Sequence, residues 1–146
     1  MFAIRKYVCC TLFGLAAASI ASADTVQTGH PNDTDCMAYS QAKLRACFEK
    51  QHRASFLALE RAQGKARRAL SAWDEDDKYI QTAQSRFDAA NKAFVHYRET
   101  QCAFNAALGG GAVGSATQSR RLACEAKLNF IRIEQLKSAI ANLPRE

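Results

Sequence analysis

The sequence has little that breaks a helix. Only two prolines occur in 146 residues, Pro31 and Pro144, and four of the seven glycines share one stretch, Gly109, Gly110, Gly111 and Gly114. A long interior without proline favours helices over turn-rich β architecture. No alternating apolar and polar run marks a strand, and no solenoid-type repeat period is present. The residue constellations of common enzyme chemistry are also missing. His30, His52 and His96 are scattered, with no Ser-His-Asp or Cys-His arrangement around them. The glycine-rich stretch follows a helical pattern rather than a strand, so it reads as a turn and not as a phosphate-binding loop. A slim helical unit hardly offers the cleft that paired glycosidase carboxylates require. The expectation is a protein without catalytic residues, metal or cofactor. Apolar residues at 48% and charged residues at 23% are ordinary globular composition, and the length suits one domain.

The N-terminus reads as a targeting segment. Arg5 and Lys6 precede a mostly apolar or small run from Tyr7 to Ile20, and Ala21-Ser22-Ala23 offers small residues at both recognition positions. This is the pattern of a secretory signal peptide over residues 1–23. The run is shorter than the ~20 residues of a membrane span. Cleavage after Ala23 leaves 123 residues, a net charge of +4 and four cysteines, Cys36, Cys47, Cys102 and Cys124. Residues 24–35 are polar, carry Gly29 and Pro31, and read as a flexible leader.

Three helices are expected beyond that leader. Ser40 is a suitable N-cap. Leu44, Phe48, Phe56, Leu59, Ala62, Ala66, Ala69, Leu70 and Trp73 then recur at helical steps, with a gap after Phe48. They describe one amphipathic helix of about 30 residues, in which Gly64 costs roughly 1 kcal/mol against Ala and is a place for a kink. Asp74-Glu75-Asp76-Asp77 is the turn and start of a second helix, where acidic side chains favour the helix dipole. Ile80, Ala83, Phe87, Ala90, Phe94, Tyr97, Gln101, Phe104 and Leu108 alternate steps of three and four without interruption. That strict heptad is the clearest pattern in the chain and predicts a seam packed against neighbouring helices. The glycines stop this helix, with a linker to about Gln118. Leu122, Ala126, Phe130, Ile133, Leu136, Ile140 and Leu143 mark the third helix, which Pro144 ends. The fold class is all-α, an antiparallel three-helix hairpin or bundle.

An even cysteine count after a signal peptide implies disulfides in an oxidising compartment. Four cysteines allow three pairings. Spacing favours Cys36–Cys47, across the start of the first helix, and Cys102–Cys124, across the glycine-rich reversal. A zinc site is disfavoured because none of the separations is of the C-x2-C type.

The segment Phe94-Val95-His96-Tyr97-Arg98-Glu99-Thr100-Gln101-Cys102 resembles the aromatic-x-x-Tyr/Phe-Arg-x-x-x-Cys signature of the LprI-like lysozyme inhibitor family. Ser40 to Cys47 resembles that family's first short motif, and Leu128 to Leu136 resembles its Leu-Thr-x-x-Arg-x-x-x-Leu ending. The likeness runs from about Cys36 to Leu143. Phe94 stands where the family usually has Trp, Asn129 where it has Thr, and Ser55 to Glu60 replaces its Ala-Asp-x-x-Leu-Asn stretch. The resemblance implies an LprI-like helical domain over residues 36–143. It also implies a periplasmic or secreted protein of the bacterial envelope that inhibits lysozyme by covering its cleft. The alternative is an envelope-stress or protein-interaction module of the periplasm without lysozyme activity, whose partner is another envelope or host protein.

Among the motif residues, Arg98 and Arg132 read as structural. A long Arg covers apolar surface and pairs across helices with a carboxylate, and Glu125 and Glu99 are candidate partners for Arg132. Asp74, Glu75, Asp76 and Asp77 are the candidate partner-binding residues, because an acidic tip suits a cleft with cationic walls. The same four are also a solvated helix start. A net charge of +4 gives no long-range steering toward a basic enzyme, so attraction rests on this local patch. Lys65, Arg67 and Arg68 form a small basic cluster, read as solvated, and export argues against nucleic acid as a partner.

Overall fold

The computed structural model describes residues 36–111 and 114–144; the expected signal peptide and leader lie outside the described residues. Three helices follow one another, α1 (Gln41–Ser71), α2 (Asp77–Ala107) and α3 (Ser115–Ile140), and no strand occurs among the described residues. α1 and α2 are 31 residues each, about 46 Å long at 1.5 Å per residue. α1 runs without interruption through Gly64. Ser40 occupies the N-cap position of α1, but its side chain makes no capping bond. α3 starts at Ser115, earlier than the linker to Gln118 suggested. Gly114, at φ 79°, turns the chain sharply, and its carbonyl accepts the Gln118 N–H. A positive φ is strained for residues with a Cβ, which is why a glycine serves here.

The up-down-up path makes α1 and α3 parallel, and α3 packs chiefly on α1 and secondarily on α2. Asn129 of α3 and Ser55 of α1, 74 positions apart, are hydrogen-bonded to each other. The buried residues of the two helices follow steps of four and three from that pair, with Phe48, Ser55, Leu59, Ala66 and Ala69 on α1 and Leu122, Ala126, Asn129, Ile133, Leu136 and Ile140 on α3. Steps of four and three are the heptad spacing of helices packed along a seam. Leu59, Ala66, Ala69, Ile133, Leu136 and Ile140 form the larger apolar cluster, with Phe87, Phe94 and Phe130 against it. Cys36, Phe48 and Leu122 form a smaller one at the other end.

Two expectations are corrected. The gap after Phe48 in α1 is not a break in the seam: His52 and Ser55 fill it with polar side chains, and in α3 fully buried Asn129, not Phe130, holds the seam position. The α2 heptad is buried only in part. Ile80, Ala83, Phe87 and Phe94 are half-buried, whereas Ala90 is exposed and Tyr97, Phe104 and Leu108 are 51%, 59% and 65% exposed. The buried residues of α2 are Arg98, Cys102 and Ala106. Each lies one or two positions after a heptad residue, hence about 100° or more around the helix. The reason is covalent and polar. The Cys102–Cys124 disulfide and the Arg98–Asn129 hydrogen bond both turn that face of α2 toward α3.

Both expected disulfides are present, Cys36–Cys47 and Cys102–Cys124, each with Cα atoms 5.5 Å apart. No helix among the described residues is long and apolar enough to cross a membrane.

Candidate functional site

Phe94, Arg98 and Arg132 gather around Ser55 and Asn129 in a polar layer between the two apolar clusters. Asn129 of α3 is fully buried and sits at the centre. Its Nδ2 donates to Ser55 Oγ at 3.0 Å, its Oδ1 accepts from Arg98 Nη1 at 2.8 Å, and Ser55 Oγ donates to the His52 carbonyl at 2.7 Å. One side chain thus ties all three helices. The Arg98 and Arg132 guanidinium carbons each lie 5.7 Å from the centre of the Phe94 ring, within cation–π range. Arg132 reaches across to Asn91 Oδ1 at 3.1 Å and along its own helix to Gln135. Burial lowers the Arg132 pKa from its ordinary value, because desolvation disfavours the charged form.

The carboxylate partners expected for the two arginines are not the ones they bond. Arg98 bonds an amide, and Arg132 bonds two amides rather than Glu125 or Glu99. Glu125 is taken by His52 Nε2 at 2.9 Å and by Arg121 at 2.9 Å, and Glu99 is exposed. The Nε atoms of both arginines are buried without a partner. Tyr97, the other motif aromatic, points to solvent beside this layer rather than into it. His96 is exposed, and His30 lies outside the described residues. Sequence reasoning missed His52, Ser55 and Asn129. The available signal was their position in register with apolar neighbours.

Asp74, Glu75, Asp76 and Asp77 stand at the α1–α2 turn, all exposed. Asp76 is the N-cap position of α2 and Asp77 its first residue, and neither side chain is used as a cap. Glu75 Oε2 accepts the Asp76 N–H at 3.3 Å, and none of the four carboxylates enters an ion pair among the described residues. The turn is anchored from behind: the Asp74 N–H donates to the Pro144 carbonyl at 3.3 Å, and half-buried Trp73 precedes it. Below the turn, Arg67 pairs with Asp88 and lies over the Phe87 ring, while Gln84 Nε2 donates to Ser71 Oγ. Arg67 of the basic cluster is therefore part of the hairpin clasp; Lys65 and Arg68 are exposed. Asp74 lies 27 positions along helix and turn from Cys47, roughly 40 Å, so the acidic tip and the disulfide-stapled end are opposite ends of the molecule.

At the stapled end α1 and α2 do not close on each other. A groove of about 650 Å³ opens between them with α3 as its floor. Leu44 and Phe48 line one side and Tyr97 and Gln101 the other, with Arg120 and Lys127 on the floor helix. No cluster of three or more His, Cys, Asp or Glu side chains suited to a metal ion occurs among the described residues.

No curated protein and no solved structure matches the chain. The model of a family described as Lysozyme inhibitor LprI does match, over residues 33–136, a span that contains both disulfides, the Asn129 layer and the acidic turn. With most of its length matched, the chain belongs to the LprI lysozyme inhibitor family.

Proposed function

We propose that this protein is a periplasmic or secreted lysozyme inhibitor that acts by steric occlusion, presenting the Asp74–Asp77 tip to the mouth of the enzyme's cleft. The observation that carries the reading is the set of four exposed carboxylates, none in an ion pair among the described residues, on a turn held from behind by the Pro144 carbonyl. A basic enzyme attracts such a patch locally although the protein as a whole is basic. The hairpin is preorganised, so little conformational freedom is lost on docking. Disulfides at the far end are consistent with an oxidising compartment. The mechanism asks no chemistry of the inhibitor: a blocked cleft excludes polysaccharide.

The test is lysis of bacterial cell walls followed by turbidity, with the oxidised protein purified after export, against c-, g- and i-type lysozymes. The protein is expected to slow at least one of them. The variant D74N/E75Q/D76N/D77N is expected to lose at least tenfold in potency while keeping its helical circular dichroism. Unchanged potency of that variant removes the tip from the mechanism, and failure against all three enzyme types removes the inhibition.

A further inference from the structure

The groove at the stapled end is unlike the acidic tip in chemistry. Its α2 wall is the part of the heptad that finds no partner inside the molecule: Tyr97 and Gln101 line it, and Phe104 and Leu108 continue the same stripe outside it. A row of apolar residues at three- and four-residue steps is a surface shaped for another helix. Along the floor, the lining residues run from Ala116 to Leu128, about 18 Å at 1.5 Å per residue, or three helical turns. Among the described residues, the charged side chains that line the groove are both cations, Arg120 and Lys127. Both are exposed, and neither is in an ion pair among the described residues.

We infer that this groove is a second docking site, separate from the tip, that receives an acidic amphipathic helix of another protein between α1 and α2 as the missing fourth helix of the bundle. Its apolar face covers Leu44, Phe48 and Tyr97, and its carboxylates meet Arg120 and Lys127. Charge decides the occupant. A basic lysozyme is repelled by these cations. Among its described residues a second copy of this chain has no acidic helix to offer, since each of α1, α2 and α3 carries more Lys and Arg than Asp and Glu.

The test uses the oxidised, isotope-labelled protein and two capped 18-residue helical peptides. Both have Leu at heptad a and d positions; one has Glu and the other Lys at the flanking positions. The Glu peptide is expected to bind and to shift the amide resonances of Tyr97, Gln101, Ala123 and Lys127, and the Lys peptide to bind at least tenfold more weakly. R120E/K127E, both at exposed positions, is expected to weaken the Glu peptide at least tenfold, and added salt to weaken it in the unaltered protein. Equal binding of the two peptides, no binding of either, or shifts confined to another surface would overturn the inference. So would concentration-dependent self-association that displaces the Glu peptide, because the occupant is then a second copy. Lysozyme inhibition by R120E/K127E reads out the tip independently.

Discussion

Replacing Arg98 by Met tests whether the polar layer holds α2 in its observed orientation. Met keeps the apolar stem of the side chain and removes the guanidinium. Three effects follow. The charged hydrogen bond to Asn129 Oδ1 at 2.8 Å disappears and leaves a fully buried acceptor without its partner, a loss of about 2 kcal/mol. The cation above Phe94 goes as well, about 1 kcal/mol at a half-buried ring. Against these, an unpartnered buried Nε is removed, which returns about 1 kcal/mol. The net expectation is destabilisation of about 2 kcal/mol, or a fall in Tm of roughly 8 °C for a domain of this size. The Cys102–Cys124 bond keeps α2 attached, so unfolding stays cooperative. The discriminating measurement is a double-mutant cycle with N129L in the oxidised protein, followed by urea denaturation. In R98M/N129L both partners are apolar, and Ser55 still bonds the His52 carbonyl. The double variant is expected to recover at least 1 kcal/mol relative to the sum of the single losses. If the single effects merely add, or if R98M is as stable as the starting protein, the layer is not the coupling that this reasoning makes it.

Other perturbations have equally definite expectations. Leu59 is 4% exposed in the larger apolar cluster, so L59A is expected to cost about 3 kcal/mol in urea denaturation through lost transfer energy and the cavity left behind. At Gly64 an added Cβ meets only Arg68 Nη1 at 3.6 Å, ordinary contact, so G64A is expected to raise stability by about 0.5–1 kcal/mol; a fall in Tm would mean a close approach not visible in the structure. Opening the Cys102–Cys124 bridge, which spans 22 residues, with C102S/C124S is expected to cost about 3 kcal/mol on the chain-entropy account. An unchanged midpoint would show that the bridge constrains little in the unfolded chain. Inhibition through the acidic tip is expected to weaken as ionic strength rises to about 0.1 M, where the Debye length is about 10 Å; salt-independent potency points to a non-electrostatic contact.

How much was legible in the sequence depended on whether local or long-range physics decided it. The three helices, their turns and their ends follow from breaker placement and periodicity, which act over a few residues. Cys36–Cys47 and Cys102–Cys124 were favoured because each pair is brought together by one turn of the chain. The acidic run at the start of α2 was readable for the same reason. The polar layer was not. His52, Ser55 and Asn129 break an apolar pattern, and only the side-by-side placement of residues 74 apart shows that they satisfy one another. A polar residue at a seam position is costly alone and acceptable when its partner arrives from another helix.

The sequence by itself determined that the chain is helical and where it reverses, and it favoured the cysteine pairs that each reversal brings together. Tertiary structure alone decided which face of α2 is inside. A heptad specifies a stripe on a helix, but not whether a partner stands opposite it along its whole length. Near the acidic turn, α1 and α3 do stand opposite, and Phe87 and Phe94 are covered. At the stapled end the disulfide and Arg98 turn α2 onto α3, and the remaining stripe of Tyr97, Phe104 and Leu108 is left facing solvent.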